Sequence, residues 1–169
     1  IYISIKMNLD IKLHKQDLPD EIKFSDKIAI DCEFTGLNIQ RDRLCLLQIS
    51  SGKNDAHIIQ LNKDNYNAPN LKNVLNDKSI NKLFHFARFD LAVIEKNVCK
   101  LNGPIYCTKI ASKLSRTFGA KHGLADLCKD LLNLELDKQN QTSDWGLENL
   151  SDAQLKYAAS DVLYLHQLK

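Results

Sequence analysis

The chain has 169 residues, 44% of them hydrophobic and 26% charged, with a formal net charge of +2. That length fits one domain, residues 1–169, with enough core to fold unaided, and the near-neutral sum neither demands nor excludes a nucleic-acid partner, because a local positive strip matters more. No apolar run is long enough for a bilayer, the N-terminus lacks a signal-peptide core, and the five Cys are odd in number with no C-x-x-C pair, so a reduced, cytoplasmic protein without a disulfide framework or structural zinc is expected.

Ile3 to Ile5 and Ile11 to Leu13 are short strand candidates. Ile28, Ala29 and Ile30 run straight into Asp31, with Glu33 two residues on. Leu44 to Ile49 and Ala56 to Leu61 read as further buried strands. Gly52 and Asn54 mark a tight turn between them, so these runs predict an antiparallel meander. Pro69 predicts a helix start, with Leu71, Val74 and Leu75 on one face. Ile80 to Phe84 reads as another strand. A helical pattern follows over Asp90 to Glu95, with Leu91 and Ile94 inward. Thr108 to Phe118 carries Ile110, Ala111 and Leu114 at helical spacing, and His122 to Leu132 carries Leu124, Leu127, Cys128 and Leu131. Ser151 and Gln154 form a capping-box pair that opens a helix through Tyr157, Asp161 and Leu165. Strands first, then alternation, then helices predict an α/β domain with a mixed sheet and helices packed on it. No Gly-rich turn follows a strand, which argues against a dinucleotide-binding fold.

Side chains alternate across a strand, so Asp31 and Glu33 face the same way. Two like charges side by side at the end of an apolar strand cost several kcal/mol if left dry and unpaired, and a divalent cation removes that cost. The pair reads equally well as two solvated loop acids. Tyr157 and Asp161 are four apart and share a helix face. Asp161 lies among Ala158, Ala159 and Val162, odd company for a surface acid. Asp90 falls in a first helical turn, where the helix dipole alone favours an acid; the alternative is a metal ligand at a strand-to-helix junction. Together Asp31, Glu33, Asp90 and Asp161 balance two divalent cations, and two metals about 3.5–4 Å apart can clamp an in-line phosphoryl displacement. Oxygen ligands without a His or Cys cluster suit Mg²⁺ or Mn²⁺ rather than zinc.

At these residues the chain resembles the DEDD superfamily of 3′-to-5′ exonucleases, in its tyrosine branch, and ribonuclease D in particular. Asp31-Cys32-Glu33 meets the first motif, Asp90 the second, and Tyr157 with Asp161 the third. Leu46, Leu47, Gln48 and Ile49, then His122-Gly123-Leu124, Ser143-Asp144-Trp145 and Gln154 to Val162 match the flanks. The likeness runs from about Ile28 to Leu168 and is to the short, stand-alone bacterial form; against that form the chain ends early, where another helix is usual.

The resemblance implies a ribonuclease H-like mixed central sheet flanked by helices and two divalent cations, Mg²⁺ or Mn²⁺. Asp31 would bridge both. Glu33 and Asp161 would complete the site that activates water, Asp90 would serve the other, and Tyr157 would orient the attacking water. Nucleoside 5′-monophosphates would leave the 3′ end of single-stranded RNA or an RNA 3′ overhang, as in trimming of tRNA. Phe34, Thr35 and Leu37 would meet the terminal nucleotides. His85 and Phe86 neighbour the site, and an aromatic ring there suits base stacking. Lys109, Lys113 and Arg116 share a helical face that reads as a phosphate stripe or a solvated face, and His122 opens a helix whose amides suit phosphate. Trp145 is expected to prop the last helix. Single-stranded DNA is the rival substrate, and a catalytically weak nucleic-acid-binding module the rival function. No membrane association and no obligate protein partner are expected.

Overall fold

Period-two alternation decides where the chemistry goes. In the computed structural model, which describes residues 9–169, six strands form one mixed sheet. They are Asp10–Lys15 (β1), Lys27–Phe34 (β2), Leu44–Ser50 (β3), Asp55–Gln60 (β4), Asn81–Phe84 (β5) and Ile105–Cys107 (β6). Their order is β1-β4-β3-β2-β5-β6. The Ile3 to Ile5 strand candidate lies outside the described residues. The expected meander is present: β3 pairs antiparallel with both β2 and β4. Gly52 and Asn54 both take positive φ in its turn, at 83° and 59°. β3 is buried at every residue, as its unbroken apolar run requires. β1, β5 and β6 join by parallel pairing.

Five helices cover the sheet: Pro69–Asn76 (α1), Arg88–Asn97 (α2), Thr108–Ser115 (α3), Leu124–Leu132 (α4) and Asp152–Leu163 (α5). None among the described residues is long and apolar enough to cross a membrane. β2 sends Ile28, Ile30 and Cys32 to one face, where Leu71 and Leu75 of α1 and Val93 and Ile94 of α2 bury them. Ala29 goes to the opposite face with Ala56 and Leu83, packed against Ala159, Val162 and Leu165. By the same alternation Asp31 and Glu33 point toward α5.

α3 departs from expectation. Ile110 is 58% exposed, Leu114 76% and Phe118 89%, and the helix ends at Ser115 rather than Phe118. Its inner face is instead Thr108 and Ser112. Thr108 Oγ1 donates to the Phe84 carbonyl at 3.1 Å, and Ser112 Oγ meets His122 Nδ1 at 2.9 Å. Hydrogen bonds to small polar residues set this helix's rotation, and periodicity of apolar residues does not report them. Leu131 on α4 is likewise exposed.

The capping box of α5 forms as the sequence predicts. Ser151 Oγ accepts from the Gln154 amide at 3.2 Å, and Gln154 Oε1 accepts from the Ser151 amide at 3.0 Å. Removing an N-cap hydroxyl typically costs about 1 kcal/mol. Ser151→Ala should therefore lower the melting temperature by roughly 2–4 °C, the shift per kcal/mol usual at this chain length. A melt superimposable on wild type would show that the cap contributes nothing.

Candidate active site

The site forms where the end of β2 meets α5. One oxygen each from Asp31, Glu33 and Asp161 lies within 4.8 Å of the others. Two come from one strand face and the third from a helix some 130 residues later, so packing of α5 on the sheet is what assembles them. Asp90, in the first turn of α2, stands across the same cleft and is buried. Tyr157 lies one turn before Asp161 and also lines the cleft. Its ring is backed by the buried Trp145, with centroids 5.9 Å apart. Gln154 Nε2 donates to the Asp144 carbonyl at 3.1 Å, which fastens the Ser143-Asp144-Trp145 segment to α5.

β2 leaves the ladder through a register shift between Glu33 and Phe34. The loop then turns tightly at Gly36, where a Cβ would fall 2.3 Å from an Asp42 carboxylate oxygen. A side chain there would displace the Asp42 carboxylate, which accepts from the Asn38 amide at 2.9 Å. That turn carries Leu37, 82% exposed, to the rim of the cleft.

Without cations the acids hold their protons to higher pH than ordinary carboxyls do. Burial pushes Asp31 well above the usual carboxylate range, and the charges of Asp90, Asp161 and Glu33 add to it. Glu33 is pushed up to about 9 by burial and then by Asp161 and Asp90. Asp90 and Asp161 both rise to about 7, burial again leading; the Tyr157 hydroxyl beside Asp161 pulls its value the other way. Crowded carboxylate oxygens at partly exposed positions suit a hard divalent cation as ligands. The donor set therefore fits Mg²⁺ or Mn²⁺.

The cleft has a volume of about 620 Å³, and Phe34, Leu37, His85 and Phe86 line it. Burial, and then the Lys109 charge, lowers the His85 imidazole to about 4, so the ring is neutral at physiological pH. Phe86 is 56% exposed at φ +63°, a left-handed conformation uncommon outside Gly, Asn and Asp. Lys109 Nζ lies 3.7 Å above its ring centroid. Three expected contacts are not on the cleft wall. Thr35 Oγ1 accepts from the Arg43 amide at 3.0 Å, Arg116 pairs with Asp130 at 2.7 Å, and His122 is held by Ser112. Arg116 is turned away because α3 rotates its polar face inward toward α4. Lys109, Lys138 and Gln141 also line the cleft, and the sequence did not single out the last two. Lys109 was visible only as one member of a stripe, and Lys138 and Gln141 sit in a segment without periodicity.

Comparison with known proteins agrees with this geometry. A family model described as 3′-5′ exonuclease matches residues 11–169. NrnC from Brucella melitensis, solved bound to pGG, superposes with a TM-score of 0.89 at 51% identity, over 95% of this chain and 78% of that one. The same protein has been solved with bound Mg²⁺, with a TM-score of 0.88 at 50% identity and the same coverage. Ribonuclease D of Zymomonas mobilis is 34% identical over 144 residues, which are 85% of this chain and 37% of that protein. The chain thus spans little more than a third of the length of that ribonuclease D. The sheet and flanking helices are those of the ribonuclease H-like exonucleases, and the chain belongs to the 3′-5′ exonuclease family, among the ribonuclease D-like members of the DEDD superfamily.

Proposed function

We propose that this chain, as one catalytic domain, is a two-metal exoribonuclease. It would remove nucleoside 5′-monophosphates from the 3′ end of single-stranded RNA or an RNA 3′ overhang. The observation that carries the reading is the convergence of Asp31, Glu33 and Asp161 oxygens within 4.8 Å, with Asp90 across the cleft. When bound, the cations supply an acidified water and neutralise charge on the scissile phosphate. Asp31 would hold both of them. Glu33 and Asp161 would hold the one on the side of the attacking water, and Asp90 the one on the side of the departing 3′ oxygen. The Tyr157 hydroxyl orients the water. It need not be the base, because an ordinary phenol titrates at about pH 10 and a bound metal already acidifies the water. Phe86 offers a face for a terminal base, and Leu37 a wedge beside it.

A cleft of about 620 Å³ falls among small-ligand pockets. That size favours a few unpaired nucleotides over a duplex. Unpairing costs a few kcal/mol in enzymes that extrude bases, and nothing in the cleft supplies that work.

The test is a time course with Mg²⁺ or Mn²⁺ at one salt concentration. Substrates are matched single-stranded RNA, single-stranded DNA, an RNA overhang, blunt duplex RNA and the short ligand pGG. Single strand, overhang and pGG should be shortened from the 3′ end to mononucleotides, and blunt duplex should lag. Equal attack on blunt duplex would defeat the single-strand reading. A large preference for DNA would overturn the ribonuclease reading, and full activity in excess chelator would remove the metal mechanism.

A further inference from the structure

The centre of β3 holds a polar side chain that the reading above does not use. Gln48 is 0% exposed, and neither its Oε1 nor its Nε2 makes a hydrogen bond to protein. Buried amides are nearly always paired, so this one calls for an explanation. Strand register puts Gln48 directly opposite Asp31 on β2 and opposite Ile58 on β4. Residues directly opposite in an antiparallel pair project to the same face, with Cβ atoms about 4.5–5.5 Å apart. The Gln48 amide therefore lies on the face that α5 covers, one strand from the metal-binding carboxylates.

Of the two residues directly opposite Gln48, one is polar. Ile58 and Leu46 on that face are apolar, as are Ala159 and Val162 of the covering helix. Ser50, the next residue of β3 on that face, already receives the Gly52 amide at 3.1 Å. The polar residue directly opposite is Asp31, with Glu33 one pair further along the same face. A carboxylate that ligates with one oxygen presents its other oxygen as an acceptor, and a donor on that oxygen orients the ligand.

We infer that Gln48 is a positioning residue for Asp31: when Asp31 ligates a divalent cation, the Gln48 amide, unpaired in the metal-free structure, donates to the carboxylate and fixes the orientation in which Asp31 presents its other oxygen to the cation. The inference rests on the metal-ion reading of the site. It assigns Gln48 no contact with substrate or metal.

The test uses the full chain, with Mn²⁺ affinity read by calorimetry and metal-free stability by thermal melting. Gln48→Met keeps the shape and removes both polar groups. Its metal-free protein should melt at or above the wild-type temperature, because two unpartnered buried groups are gone. Its Mn²⁺ affinity should fall about 10- to 100-fold, as when outer-shell partners of metal ligands are lost. Ile58→Val, on the other side of Gln48, should lower the melting temperature and leave Mn²⁺ affinity unchanged. Gln48→Leu serves as a second variant and should show the same loss of affinity. Wild-type affinity in both Gln48 variants overturns the proposal. So does an equal loss in Ile58→Val, which would make the effect one of sheet packing. Wild-type protein that binds no Mn²⁺ would instead remove the metal reading itself, a failure distinct from that of Gln48.

Discussion

Asp31→Asn should lower turnover on a 3′-labelled single strand by about 10³-fold or more, and Tyr157→Phe by about 10²-fold, the scale of losing one positioned hydrogen-bond donor. The difference follows from position. The charges of Asp90, Asp161 and Glu33 all act on Asp31, and in the two-metal reading proposed above Asp31 would be the ligand shared by both cations. An amide there still occupies the space but no longer contributes the charge that two cations share. Tyr157→Phe removes a hydroxyl and leaves the carboxylates of the cluster in place. Its ring packing on Trp145 also survives, so the fold is preserved and the loss reports on chemistry. Single-turnover rates at saturating Mn²⁺ check both variants. Tyr157→Phe falling as far as Asp31→Asn would contradict the division of roles. Asp31→Asn should also abolish most of the Mn²⁺ heat seen by calorimetry.

The metal-free protein should lose stability as pH rises, the reverse of most proteins leaving the acid range. In the unfolded chain, Asp and Glu lose their protons near pH 4. In the fold, burial and mutual repulsion hold Glu33 at about 9 and Asp90 and Asp161 at about 7, with Asp31 raised as well. Between these limits the folded state binds more protons than the unfolded one, so the unfolding free energy falls with pH. The stabilisation is complete below the unfolded values and is lost as pH passes through about 7 and then about 9. Several kcal/mol are involved, so melting should drop by about 10 °C or more between roughly pH 5 and pH 9. Saturating Mg²⁺ should remove most of that slope, because the cation binds the deprotonated acids. Asp31→Asn should flatten it without metal, since one of the mutually repelling acids is gone. A metal-free melting temperature that climbs across this range would show that the acids are solvated.

Much of this was legible because it depends on local spacing. The Asp31–Glu33 interval places both carboxylates on one strand face, and the Tyr157–Asp161 interval places both groups on one helix face. Gly52 and Asn54 announced the meander turn, Pro69 the start of α1, and Ser151 with Gln154 the start of α5. What stayed hidden depends on contacts distant in sequence. β6 has three residues, Ile105–Cys107, too few for any pattern, and exists by pairing with β5. The rotation of α3 is set by Thr108 reaching Phe84 and Ser112 reaching His122, so Ile110 and Leu114 point outward against their periodicity. Arg116 turns to Asp130 for the same reason. Whether Asp31 and Glu33 were site or loop could not be decided from their own segment, because Asp161 arrives from the other end of the chain.

That late arrival has a consequence for biosynthesis. Chains emerge from the ribosome N-terminus first, and the meander of β2, β3 and β4 can pair from local contacts. α5 follows by about a hundred residues, and it carries both Asp161 and Tyr157 and covers the sheet face bearing Asp31 and Glu33. Until it docks, the nascent chain has half a metal site and an open apolar face. A chain built in this order brings its four acids and Tyr157 together only after α5 has been made and has docked.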